Sequence, residues 1–262
     1  MNERPAPAAD YDEFVNWERR LAREAPLFER VFADTRARRV IDVGAGSARH
    51  AIMFATWGLD VVAVDPDDSM LAQAEENLEG AEELIAAGGG SLRLVRGGFG
   101  QLEALGLGPA DALTCTGNAL PHVDGIAGLR TTLADFAQVL RPDGALVLHL
   151  LNHARLLVSR QRAIPPVFRQ TASGEKVFLR VIDYPEGDEY LDFDFLTLVR
   201  GADGEWSLTH RRSPHTALPV GLLERELTQA GFDRVEALGS HDGRPLDVGD
   251  DESVIVVARR AG

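Results

Sequence analysis

The sequence predicts one α/β domain, a mainly parallel sheet with helices on both faces. Three observations carry this expectation. A β-branched run from Val40 to Val43 breaks into Gly44-Ala45-Gly46-Ser47 and resumes with helical apolar spacing at Ala51, Ile52, Phe54 and Ala55. Apolar runs then alternate with amphipathic segments as far as Leu151, the pattern of strand, helix and strand. Finally, 262 residues at 45% hydrophobic content suffice for one substantial core, with length left for a cap or an insertion. The expected division is a helical cap over 1–39, a core over 40–151, an antiparallel insertion over 152–218, and a closing helix and strands over 219–262.

The first ten residues, rich in Pro, Ala and charge, are expected to be disordered. Phe14, Trp17 and Leu21 fall at i, i+3 and i+7, which predicts one amphipathic helix, and Pro26 opens a second carrying Leu27, Val31 and Phe32. Such a cap packs on the sheet edge, or acts as a lid with Tyr11 or Trp17 against a ligand. After the glycine turn and its helix, LDVVAVD forms strand two and ends at Asp65. Pro66 cannot extend the ladder, and Asp67, Asp68 and Ser69 cap a helix with Met70, Leu71, Ala74 and Leu78 on one face. A second segment, AEELIAA, stops at Gly88-Gly89-Gly90.

SLRLVR predicts strand three, turning at Gly97-Gly98 before Phe99. DALTCT predicts strand four, ending in Thr116-Gly117-Asn118, and GLRTTLADFAQVL a helix that Pro142-Asp143-Gly144 terminates. ALVLHLL is a fifth strand buried on both faces. Alternation then stops. A short helix through Leu156 and Leu157 precedes three β-like runs, KVFLRVIDY, EYLDFDFLTLVR and EWSLTHRR, joined by turn residues into hairpins. VGLLERELTQAGF returns to helical period, and RVEALGS and ESVIVVARR give the last two strands.

Composition excludes several classes of function. The formal charge of −14 opposes nucleic acid and anionic membrane surfaces as partners. Lys176 is the single lysine and Cys115 the single cysteine, which rules out internal disulfides and thiolate metal clusters and makes Cys115, inside an apolar run, a core residue. No signal-like segment or membrane-length apolar run is present, so a cytoplasmic protein is expected. His149 and His153 are four apart but His149 lies in a strand, too widely spaced for one ion, so no metal is expected. Asp192 and Asp194 share one strand face opposite Phe193 and Phe195; they meet solvent, or a cationic amine if that hairpin roofs a site.

The glycine turn carries the chemistry. Glycines let the backbone approach a ligand closely, and the following helix N-terminus offers free N–H groups. A dinucleotide fingerprint would place a third glycine where this chain has Arg49, so a pyrophosphate fits poorly. A carboxylate at Asp65 can accept hydrogen bonds from both hydroxyls of a ribose, Phe99 is placed to stack on a base, and Met70 either leans on that base or fills core. A nucleoside ligand follows. An NAD-dependent oxidoreductase shares the strand, turn and ribose acid, with Arg49 counting against it.

VIDVGAGSARHA with Asp65, CTGNALPHV, LVLHLLNHARLL and the N-terminal YDEFVNWERRLAREAPLF resemble the class I S-adenosylmethionine-dependent methyltransferases, in particular the glycine/sarcosine N-methyltransferase group and its bacterial relatives. The resemblance implies a seven-stranded Rossmann-like methyltransferase sheet with S-adenosylmethionine as cofactor. By it, Tyr11, Trp17, Asp42, Gly44, Ala45, Gly46, Asp65, Pro66, Met70, Gly98, Phe99, Thr116 and His122 hold the cofactor. Asn118, His122 and His153 serve the reaction, an in-line methyl transfer to a small-molecule amine or hydroxyl, and self-association into a homo-oligomer is implied. A cofactor-binding protein without catalysis is the alternative. Three departures stand out: the group's carboxylate-gripping arginine before Asn152 is Leu151 here, the tyrosine after it is His153, and a motif serine is Ala119. Without that guanidinium fork, glycine loses its bidentate contact.

Overall fold

The computed structural model describes residues 8–171, 174–201 and 203–262. Helices α1 (Ala8–Phe14) and α2 (Trp17–Thr35) precede β1 (Arg39–Val43), α3 (Arg49–Thr56), β2 (Asp60–Asp65), α4 (Asp68–Glu79), α5 (Glu82–Gly88), β3 (Ser91–Arg96), β4 (Ala110–Cys115), α6 (Gly125–Val139) and β5 (Leu140–Leu151). Then come α7 (His153–Ser159), β6 (Ala163–Thr171), β7 (Gly174–Asp183), β8 (Tyr190–Arg200), β9 (Trp206–Thr216), α8 (Val220–Gln229), β10 (Phe232–Leu238) and β11 (Ser253–Arg260).

Seven strands form one sheet in the order β10-β11-β5-β4-β1-β2-β3, with β11 antiparallel to both of its neighbours. The chain order reverses between β1 and β4, so a crevice opens at the carboxyl ends of these strands, where open α/β sheets bind ligands. Alternation along each strand splits the core. Ile41, Val43, Leu113, Leu146 and Leu148 meet α6 and α8 through Leu133, Phe136 and Leu223. Val40, Val61, Ala112 and Val147 meet α2 and α3 through Phe28, Phe32 and Phe54 on the other face. Cys115 is buried in the first layer, as its apolar run implied, and burial pushes its thiol pKa up.

Four strands, β6-β7-β8-β9, form a separate antiparallel sheet, one more than the three runs read from the sequence. Pro165 and Pro166 hid β6. It tolerates them because it is an edge strand with a register shift between Ile164 and Val167. Leu156 of α7 joins Ile182, Leu191 and Phe193 in a core beneath this sheet.

Three further expectations are corrected. Phe14 and Trp17 lie on different helices, because Asn16 accepts from the Arg19 amide at 3.1 Å and starts α2 afresh. Pro26 sits inside α2 and opens no new helix; the buried face of Leu27, Phe28, Val31 and Phe32 outweighs one missing donor. Pro142-Asp143-Gly144 lies within β5, as an irregularity in its pairing with β4, with Asp143 at φ +60°. Of the segment expected to be disordered, 1–7 lies outside the described residues and Ala8 to Asp10 are helical. Among the described residues no helix is long and apolar enough to cross a membrane.

Candidate functional site

The glycine turn is fixed before any ligand arrives. Gly44 and Ala45 donate their amides to the Val64 carbonyl at 2.8 and 3.1 Å, and the Gly46 amide donates to Asp65 Oδ2 at 2.8 Å. Asp65 Oδ1 accepts from the Asp67 amide at 3.0 Å, and burial raises the carboxyl's pKa. Gly44 has φ +66°, and a Cβ there would stand 2.6 Å from that of Ala119, with Phe99 Cζ at 3.7 Å. A Cβ on Gly46 would stand 3.9 Å from both Met70 Sδ and Tyr11 Cε1. A Cβ on Gly98 would touch Pro66 at 3.8 Å. The structure therefore gathers Gly44, Ala45, Gly46, Asp65, Pro66, Met70, Gly98 and Phe99 around one crevice, with Tyr11 above it. Asp42, 1% exposed, accepts from Thr114 Oγ1 at 2.7 Å through one oxygen and leaves the other without a hydrogen bond. Burial pushes its pKa up, against the pull of His50. Thr116 lies 3.4 Å from His50 Nδ1.

Residues that sequence reasoning passed over hold the N-terminal segment on this crevice. Asp12 accepts from Arg49 Nε at 3.0 Å and Nη2 at 2.7 Å, from Asn77 Nδ2 at 3.1 Å, from Trp17 Nε1 at 3.0 Å, and from Ser47 Oγ. The arginine that spoiled the dinucleotide fingerprint is thus the fork that binds α1 to the turn. On the other side, Lys176 of β7 donates to Asp10 at 2.7 Å and to Glu13, and Arg169 Nη2 donates to the Phe14 carbonyl at 3.0 Å. α1 is clamped between the two sheets. Trp17 stands behind Tyr11, ring centroids 5.8 Å apart, with the Arg20 guanidinium over its ring at 5.2 Å.

A buried polar cluster lies under the crevice. Glu24, fully buried, accepts from Arg20 Nε at 3.0 Å and Arg23 Nη2 at 3.3 Å, and pairs with His50 Nε2 at 2.7 Å. Burial alone would raise its pKa, but His50 and Arg20 hold it well below the carboxylate range. Nitrogens of His149 and His241 come within 4.8 Å of Glu24 and of one another, a donor set capable of holding a metal. The arginines already on Glu24 compete with any cation there. Burial drives His149 to about 3 and His241 to about 4, so both rings are neutral at pH 7.

The opposite wall combines residues distant in sequence. His122 ends a 3-10 turn over Leu120–His122 and meets His215 of β9, ring centroids 4.5 Å apart. Ser213 Oγ lies 3.5 Å from His122 Nδ1, and Phe193 stacks on His215 at 4.4 Å. Burial and the Arg211 charge lower the pKa of His122; burial, His122, His153 and Arg211 lower that of His215 to about 2. Asn118, at φ +67°, accepts from the Leu151 amide at 2.9 Å and places Nδ2 3.4 Å from His215 Nδ1. It braces β4 against β5 and orients His215. His153 is 1% exposed, accepts from the Leu218 amide through Nδ1 at 2.9 Å, and is pushed by burial to about 4. That nitrogen is already engaged in bracing Leu218. Asp192 and Asp194 face the outer side of the second sheet, where Asp194 holds Arg212 and His210 at 2.7 Å. No short-range motif signals His215 or Arg211.

Comparison with known proteins follows this geometry. Residues 40–144 match the family described as a methyltransferase domain. The chain is 32% identical over 147 residues to a glycine/sarcosine N-methyltransferase of Aphanothece halophytica, covering 56% of this chain and 53% of that protein. It is 26% identical over 231 residues to the glycine/sarcosine N-methyltransferase of Parasynechococcus marenigrum, covering 88% and 76%. The chain thus spans about half the length of the first of these relatives. Among solved structures, SAM-bound CalS10, an amino pentose methyltransferase from Micromonospora echinaspora, superposes with TM-score 0.71 at 22% identity over 100% of both chains. The CcbJ methyltransferase of Streptomyces caelestis gives 0.75 at 23% identity over 97% of this chain and 96% of that one. The resemblance read from the sequence is borne out, and the fold is that of S-adenosylmethionine-dependent methyltransferases.

Proposed function

We propose that this chain is a methyltransferase that uses S-adenosylmethionine to methylate the nitrogen of a small-molecule amine. The observation that carries the reading is one crevice with two unlike walls: a glycine turn cradled by Asp42, Asp65, Met70 and Tyr11, and a wall of neutral imidazoles at His122 and His215. The fit to the cofactor rests on the cradle. A Cβ on Gly46 would reach into the gap between Met70 and Tyr11, Asp42 keeps one buried oxygen unpaired, and Asp65 has lone pairs left for two hydroxyls. Gly44, Ala45, Gly46, Asp42 and Thr116 would hold the methionine half, Asp65 the ribose, and Met70, Gly98, Phe99 and Pro66 the base. Tyr11, with Trp17 behind it, closes the mouth.

Bound S-adenosylmethionine supplies an electrophilic methyl group. The chain's own residues then have three tasks. α1, clamped from both sides, excludes water from the crevice. His122, exposed and with the buried His215 ring packed against it, offers an acceptor nitrogen for an amine N–H, which orients the nitrogen lone pair. Only burial, neighbouring histidines and Arg211 perturb these rings; with no carboxylate acting on them, an incoming amine is favoured as its reactive free base. Asn118 and His153 position this wall from behind.

The test is calorimetry with S-adenosylmethionine and S-adenosylhomocysteine, then methyl transfer from labelled cofactor over a panel of amines, amino sugars and phenols. Cofactor heat and N-methylated product are expected. Cofactor binding with silence across the panel would instead favour a non-catalytic binder, and NADH binding without cofactor heat would remove the reading altogether. A His122→Ala variant with unchanged turnover at saturating cofactor would strip His122 of its role.

A further inference from the structure

The inner face of the second sheet carries two arginines that form no ion pair among the described residues. Arg180 on β7 and Arg211 on β9 are the two cross-strand register partners of Phe195 on β8, one on each side. Arg211 lies over the Phe195 ring at 4.5 Å and Arg180 over the Phe14 ring of α1 at 4.8 Å. Among the described residues neither is ion-paired or hydrogen-bonded. Burial lowers the pKa of each, against the opposing pull of Glu252 on Arg180 and of Asp67 on Arg211.

This is not a shortage of acids, since the chain has 41 acidic residues against 27 basic ones. On the outer face of the same sheet Arg212 holds Asp183 at 2.6 Å and Asp194 at 2.7 Å, and Arg162 holds Asp183 at 2.6 Å. The part-buried Arg20 likewise has Glu24. Stacking on a ring offsets part of the desolvation of a guanidinium but satisfies none of its five N–H donors. Strand spacing places the two backbones about 10 Å apart, close enough for two long side chains to converge on one group between them. Ring contacts tie the pair to the crevice: Arg180 lies over Phe14 of α1, and Phe195, beneath Arg211, stands 6.4 Å from the His215 ring.

We infer that Arg180 and Arg211 form a subsite for an anionic group, a carboxylate or a phosphate ester, on the methyl-accepting molecule. The inference rests on the methyl-transfer reading for its placement and goes beyond it in naming the acceptor: an amine joined to an anion. The guanidinium lost at Leu151, relative to the glycine-methylating group, is replaced from a different element and at a different place. Two forks on neighbouring strands suit a larger or more extended acid than glycine.

The experiment titrates the full chain with inorganic pyrophosphate and, separately, with acetate, each with and without S-adenosylhomocysteine, in wild type and in R180Q/R211Q. Wild type is expected to bind one of the two anions, with pyrophosphate alone pointing to a phosphate ester and acetate alone to a carboxylate. The double variant is expected to lose roughly tenfold or more of that affinity while its affinity for S-adenosylhomocysteine stays within about twofold. The thermal midpoint without ligand is measured in parallel. It is expected to rise slightly in the variant, because two part-buried charges without an ion pair are removed, and to gain nothing from the anion. Equal anion affinity in both proteins, or none in either, overturns the subsite. Failure to bind S-adenosylhomocysteine counts against the methyl-transfer reading alone, since the anion result without it stands or falls by itself.

Discussion

The two polar regions beside the crevice contrast in one respect. Under the seven-stranded sheet, the Glu24 carboxylate is met by Arg20, Arg23 and His50, so the charges there are answered within the chain. On the inner face of the second sheet, His122 and His215 are neutral, and Arg180 and Arg211 form no ion pair among the described residues. A satisfied network fixes geometry, whereas an unsatisfied one costs stability unless a ligand completes it. The first region is the foundation that holds α2 and α3 beneath the turn, and the second is arranged for a molecule that arrives later.

The sharpest way to break this comparison is to remove the centre of the first network. Glu24→Leu leaves the side chains of Arg20, Arg23 and His50 around an apolar group, and removing one partner of a buried ion pair costs about 3–5 kcal/mol. Urea unfolding should show a loss of that size. A loss below about 1 kcal/mol would mean that the network is no more than a surface pair. Acid should reveal the same architecture. The folded-state pKa of Glu24 is depressed, so its contribution is present above its ordinary value of 4.5 and fades as pH falls below it. His149, His153, His215 and His241 fold as neutral rings, with values of about 3, 4, 2 and 4 against an ordinary 6.5. The unfolded chain therefore binds more protons than the folded one below pH 6.5, and stability falls from there toward pH 4. Each ring adds a slope of up to about 1.4 kcal/mol per pH unit. Unfolding curves from pH 7 to pH 4 check this, and a flat profile would show that the rings are hydrated.

The next effect is smaller and confined to the cofactor wall. Gly44→Ala puts a Cβ 2.6 Å from Ala119 and a side chain at φ +66°, where left-handed backbone costs about 1–2 kcal/mol before any clash. S-adenosylhomocysteine should bind at least roughly tenfold more weakly, with the unfolding midpoint changed far less than by Glu24→Leu. Undiminished affinity would show that the ligand does not rest on this turn.

The two walls also differ in how far the sequence discloses them. Asp42, Gly44, Gly46 and Asp65 lie within 24 residues and follow a strand-turn-helix period, so local chemistry alone brings them together. The second wall joins His122 to Ser213 and His215, and Asn118 to His215, pairs more than 90 residues apart. Their approach depends on how the four-stranded sheet folds back over the core, and no periodicity encodes that. The missed strand β6 has the same cause in reverse, since Pro165-Pro166 is a true local signal against a strand that an edge position overrides. His153 fitted a family position for a reactive group, and only the burial of its ring and the bond from the Leu218 amide assign it to support.

Arg49 offers the finest test, because it belongs to the cofactor wall by sequence and to the clamp on α1 by structure. Its bidentate pair with Asp12 is partly exposed, with side-chain exposures of 36% and 10%, so its removal should cost no more than about 1 kcal/mol. Arg49→Ala leaves the glycine turn and Asp65 intact but frees one side of α1, while Lys176 still holds the other. The cofactor should therefore dissociate about fivefold faster, with its association rate little changed, in stopped-flow displacement of S-adenosylhomocysteine. Asp12→Asn should cost at least as much, since it also turns an amide toward Asn77, and adding Arg49→Ala to it should add little, because the Arg49 contact is already broken. Additive losses would mean that Arg49 meets the cofactor itself, which would move it from the clamp to the binding wall.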